Sequence, residues 1–150
     1  MNRISKRWAS AIYLSFAALL VTGTAGASGS VRVQQIDGHV QEYQHVVLQL
    51  HGTTLRIRTA DRVGTLIVQR AACMFIGGLE RCLPSSLELS QHGNHPISFQ
   101  RGTLYINLTN ESHRLPHSSK TLAPQSVLAL LKTVRGTYIA VSGRLDEVTP

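Results

Sequence analysis

"RGTLYINLTNE", residues Arg101 to Glu111, decides how the rest of the chain is read. Side chains alternate faces along an extended strand, so Leu104, Ile106 and Leu108 share one side and Tyr105 and Asn107 the other. The opening tripeptide returns in "RGTYIAVSGRLDE", Arg135 to Glu147, where Ile139, Val141 and Leu145 alternate against Tyr138, Ala140, Ser142 and Arg144. Gly-Thr recurs at Gly52-Thr53 and Gly64-Thr65, each time ahead of another alternating run. A phosphate-cradling loop would set clustered glycines before a helix. Here glycine is read as the positive-φ turn residue and threonine as a β-branched first strand residue. The echo therefore marks a fold and not a ligand site.

Working outward, the same alternation predicts short strands near 31 to 36, 39 to 50, 53 to 59, 64 to 71, 86 to 90, 97 to 99, 103 to 109, 126 to 134 and 137 to 145. Asp37-Gly38 and His51-Gly52 are the candidate two-residue hairpin turns. "PQSVLALLKTV", Pro124 to Val134, fits both a helical stripe and strand alternation. Its direct run through Arg135-Gly136 into an alternating strand favours a terminal hairpin, with one short helix as the other reading. Residues 111 to 124 hold two prolines and no periodicity and are expected to form a surface loop. The expected class is all-β: a small antiparallel β-sandwich or open barrel with at most one short helix.

"MNRISKRWAS" leads with Arg3, Lys6 and Arg7 into the apolar run Ala11 to Val21, and Ala25 and Ala27 then form an A-x-A pattern. These are the parts of a signal peptide cleaved after Ala27, which predicts export to the periplasm or beyond and a single domain over residues 28 to 150. The run is shorter than the roughly 20 apolar residues that a spanning helix needs, so no transmembrane anchor is expected after cleavage. Three of the 15 Lys and Arg lie in this leader and all eight Asp and Glu follow it, which leaves a net +4. That charge carries no dense basic run, and nucleic acid is not an expected partner. Cys73 and Cys82, an even pair bound for an oxidising compartment, are expected to form a disulfide.

All seven histidines follow the leader. His92 and His95 in "HGNH", and His113 and His117 in "HRLPH", sit on expected loops where imidazoles could converge on zinc or copper. Neither pair has a carboxylate or cysteine in a metal-site spacing, so solvated loop histidines are preferred over a metal site and no cofactor is expected. Arg56 and Arg58 share a strand face, with Arg62 and Arg70 expected nearby. With Arg114 and Lys120 they are the candidate contacts for a partner or an anion. Asn107 and Asn110 head two Asn-x-Ser/Thr patterns, which matter only in a glycosylating host. No Gly-x-Ser-x-Gly or His-Glu-x-x-His motif is present. The functional expectation is a non-catalytic exported domain that binds a protein or cell-envelope component, the alternative being a metal-binding protein that uses the loop histidines.

Overall fold

The computed structural model describes residues 29–59, 65–89 and 97–150. The leader expected over residues 1 to 27, Arg62, Gly64, His92 and His95 lie outside the described residues. The chain forms β1 (Gly29–Gln34), β2 (Val40–His51), β3 (Thr54–Arg58), β4 (Thr65–Ile76), β5 (Leu79–Leu89), β6 (Ile97–Asn107), β7 (His113–Arg114), β8 (Thr121–Leu122), β9 (Ser126–Thr133), β10 (Tyr138–Arg144) and β11 (Glu147–Thr149). Strands β1-β10-β9-β6-β5-β4-β3-β2 pair antiparallel in that order, and β1 pairs with β2 to close an eight-strand barrel. The protein is thus all-β, and the barrel is closed. The two outer strands of the sheet are joined to each other, which removes the edges an open sheet would leave.

Closure works because β2 is long enough to serve two neighbours on one edge. Residues up to Val46 pair with β1, and Gln49 to His51 pair in parallel with β11. The crossing is tight: a Cβ on Gly29 would lie 2.5 Å from the Val46 carbonyl oxygen. Inside, the alternating residues form one core that includes Leu48, Leu55, Ile57, Leu104, Ile106 and Val141, all 1 % exposed or less. Each such side chain stabilises by about 1.5 to 3 kcal/mol through burial.

Three expectations are corrected in this wall. The predicted strands 97 to 99 and 103 to 109 are one strand, β6, and Gly102 lies within it rather than in a turn. It is glycine because a Cβ there would meet Leu131 Cδ2 at 2.9 Å. In the second copy of the tripeptide, Gly136 has φ 88° and does make a turn. The Asp37-Gly38 turn is a three-residue connection, with Gln35 N–H donating to His39 O at 2.8 Å and Gly38 at φ 89°. Strands β4 and β5 run on to Ile76 and back from Leu79, well past the predicted 64 to 71 and 86 to 90. Pro84 concealed that hairpin in the sequence, and it is tolerated because the ladder is bulged there. The contested segment is strand β9, paired with β10 as the terminal hairpin reading required.

Residues 111–124 also depart from expectation. They are not a solvated loop: β7 and β8 form a small hairpin laid on the outside of the barrel. Leu115 and Leu122 are buried there against Leu79, Leu128 and Ala140, making a second apolar layer over β9 and β10. The outward face of β10 is consequently dry along its middle, with Ala140 buried and Ser142 fully buried.

Candidate binding face

Asn107 at the end of β6 sets this face. It is fully buried, and its amide Nδ2 reaches the carbonyls of Glu111 at 2.7 Å, Leu122 at 3.1 Å and Ala123 at 3.0 Å. Its Oδ1 accepts from Thr109 N–H at 3.0 Å and Thr109 O–H at 2.7 Å. One side chain thus ties both ends of the 111–124 segment to the barrel. The first Asn-x-Thr pattern is therefore a structural clasp, while Asn110 is exposed. Further along, Leu115 N–H donates to Lys120 O at 2.8 Å and Arg114 Nε donates to Ser118 O at 2.7 Å, which fixes the tip of the segment.

This tip meets the β4–β5 hairpin. Gly77 and Gly78, at φ 56° and 85°, make the two-residue turn, and the His113 ring packs so closely on Gly78 that a Cβ there would lie 2.5 Å from it. His113 Nε2 also lies 2.9 Å from Thr109 Oγ1. Between hairpin and segment opens a cleft of about 380 Å³, lined by Ile76, Gly77, Arg114, Leu115, Pro116, His117, Ser118 and Ser119. Beside it the hairpin leaves Met74 and Leu83 in water on the face that carries Ile76, at 58 % and 51 % exposure, and Phe75 on the opposite face, at 79 %.

The hairpin is rigid for two reasons. Cys73 and Cys82 are directly opposed in the ladder and are disulfide-bonded. Under the bond, Arg70 pairs with Glu80 at 2.7 Å, and its other guanidinium nitrogen donates to the Gly52 carbonyl. Arg70 therefore belongs to no basic stripe with Arg56 and Arg58. Its side chain is 9 % exposed and joins the β2–β3 turn to the hairpin. Alternation alone could not show this, because a bulge at Gln69 and Arg70 shifts the face on which Arg70 emerges.

Of the residues singled out in the sequence, Arg114, His117 and Lys120 are brought together on the outer segment, with Arg114 and His117 at the cleft. Arg56 and Arg58 are exposed on β3, four strands round the eight-strand ring from β9 and so on the opposite wall. Among the described residues, the grouping of three potential metal-ligating side chains is Cys73, Glu80 and Cys82, whose ligand atoms lie within 4.8 Å of one another. Both thiols of that group are spent in the disulfide and Glu80 is paired with Arg70, so the chemistry of the trio is that of a staple. Asp146 and Glu147 have structural partners: Asp146 accepts from Leu48 N–H at 2.8 Å and Glu147 from Gln49 Nε2 at 2.9 Å. In comparisons with known proteins, no family, no curated protein and no solved structure matches the chain.

Proposed function

We propose that this is an exported, non-catalytic binding module of the cell envelope, which holds a partner protein on the face made by the β4–β5 hairpin and the 111–124 segment. The observation that carries the reading is the exposure of Met74 and Leu83 on one face of a disulfide-stapled hairpin, the face that also carries Ile76, beside a cleft whose far wall presents Arg114, His117, Ser118 and Ser119. Large apolar side chains grouped in water on a well-ordered element are what a protein interface uses for its centre, with polar groups at its rim. Preorganisation by the disulfide and by Asn107 lowers the ordering cost of association. Export is supported by the leader pattern and agrees with the disulfide, which persists in oxidising compartments.

The test uses the double variant Met74→Ser/Leu83→Ser. Both residues are exposed, so thermal stability should change little, whereas capture of envelope proteins by the immobilised domain should fall at least tenfold. Unchanged capture by a folded double variant would remove this face from the reading. Scrambling residues 112 to 122 would not be a clean test, since it would also strip Leu115 and Leu122 from the outer layer.

A further inference from the structure

At the other end of the same wall lies a feature that partner binding does not use. Arg101 on β6 pairs with Lys132 on β9, and Lys132 pairs with Tyr138 on β10. The next residues along these strands, Leu131 and Ile139, point into the core, so Arg101, Lys132 and Tyr138 stand side by side on the outside. Strands in a sheet lie about 4.8 Å apart, so the row spans about 10 Å. Lys132 Nζ lies 5.2 Å from the centre of the Tyr138 ring.

Among the described residues, neither cation in the row has an ion-pair partner. The ion pairs among the described residues are Arg32 with Glu42 and Arg70 with Glu80. Arg135 adds a third exposed positive charge on the β9–β10 turn. Asp37, on the β1–β2 turn, already accepts from His39 N–H at 2.9 Å. The Tyr138 pKa is lowered, chiefly by hydrogen bonding from Lys132, with Arg101 adding to the effect against the opposing cost of burial.

We propose that Arg101, Lys132 and Tyr138 form a binding site for a tetrahedral oxyanion, a phosphate or sulfate group. An oxyanion between the two cations replaces their mutual repulsion with charge-assisted hydrogen bonds, with arginine supplying a fork, lysine a point charge and the phenol a neutral donor. The surroundings bear on where such a group would come from. Ile36 and Val134 are 83 % and 61 % exposed at this end of the barrel. Ile36 leans onto the β9–β10 turn, its Cδ1 being 3.3 Å from where a Gly136 Cβ would stand. Apolar side chains beside cations also suit the headgroup layer of an anionic lipid surface. The oxyanion is thus either a lipid headgroup or free in solution.

The experiment titrates the folded domain with inorganic phosphate by amide and side-chain NMR, and measures co-sedimentation with vesicles of phosphatidylcholine alone and with added phosphatidylglycerol. Phosphate should shift resonances of Arg101, Lys132 and Tyr138. Arg101→Gln/Lys132→Gln should weaken binding at least tenfold, and Tyr138→Phe less. Arg56→Gln/Arg58→Gln removes the same charge from the opposite wall and should leave binding unchanged. Sedimentation with anionic but not neutral vesicles, lost in the Arg101/Lys132 variant and reduced by Ile36→Ser, would identify a lipid headgroup. Phosphate binding without sedimentation would identify a soluble anion. No localised phosphate shift and no selective sedimentation, or equal loss in the Arg56/Arg58 control, would overturn the site.

Discussion

Replacing Asn107 with alanine should loosen the outer segment without unfolding the barrel. An amide has two protons, so of the three carbonyls within reach of Nδ2 it satisfies two fully. The substitution removes those bonds and the acceptor for the Thr109 N–H, and it leaves the buried Leu122 carbonyl without its donor. At about 1 to 1.5 kcal/mol per bond, the expected loss is about 3 to 4 kcal/mol. Peeling the segment away would also expose Leu115 and Leu122, a further cost of about 3 to 6 kcal/mol, so it stays docked but opens more readily. In urea, with m of about 1.5 kcal/mol/M, the midpoint should fall by about 2 to 2.7 M. Amide exchange between residues 115 and 122 should accelerate by about two to three orders of magnitude. Asn107→Asp, nearly the same shape, should be at least as damaging at neutral pH because an anionic oxygen would face those carbonyls. A loss below about 1 kcal/mol, with exchange in the segment unchanged, would refute the role given to Asn107.

Three other outcomes are expected. Arg70→Met should cost about 2 to 3 kcal/mol in chemical denaturation, since it strands Glu80 and the Gly52 carbonyl, whereas Arg56→Met on the exposed outer face of β3 should change stability by less than about 0.5 kcal/mol. Replacing both Cys73 and Cys82 by serine opens a closure of sequence separation 9 and should cost about 2.5 to 3 kcal/mol, visible as a lower thermal midpoint that reductant no longer affects. Ultraviolet titration should find the Tyr138 phenol ionising below the ordinary value of about 10, and Lys132→Gln should raise it. Because the ionised form is the one the fold favours, this contribution is absent at neutral pH. It appears only as pH rises from the lowered value to beyond the unfolded one.

The residues differ in how openly they announced their places. Leu55, Ile57, Leu104 and Ile106 lie inside and Arg56 and Arg58 outside, as strict alternation requires, because each strand has one wet and one dry face. Alternation fails where a second layer covers the outside. Leu128, Ala140 and Ser142 are buried on the outward face because 111–124 lies over them, and the prolines and hydroxyls of that segment hid Leu115 and Leu122 as anchors. It also fails at bulges, which turned Arg70 from an apparent surface cation into the inner partner of Glu80.

The candidate site was legible in part. Arg114, His117 and Lys120 were marked by lying in a long polar segment, whereas Met74 and Leu83 were not, since apolar residues beside a pair of bonded cysteines read as buried until the hairpin is seen to project. The row of Arg101, Lys132 and Tyr138 depends on the pairing of β6 with β9, a contact between segments more than two dozen residues apart. No local pattern in the sequence encodes that register.

The binding reading is tested most directly by photo-crosslinking in living cells, with a photoreactive phenylalanine placed in turn at Met74, His117 and Arg56. His117 lines the cleft, Met74 shares a hairpin face with Ile76, which also lines it, and Arg56 on β3 pairs with Ile67 towards the far end of β4 from the hairpin turn, so the same protein adduct should form from Met74 and His117 and be missing from Arg56. Adducts that are equally abundant from all three positions, or different from Met74 and His117, would contradict a single partner face at this end of the barrel.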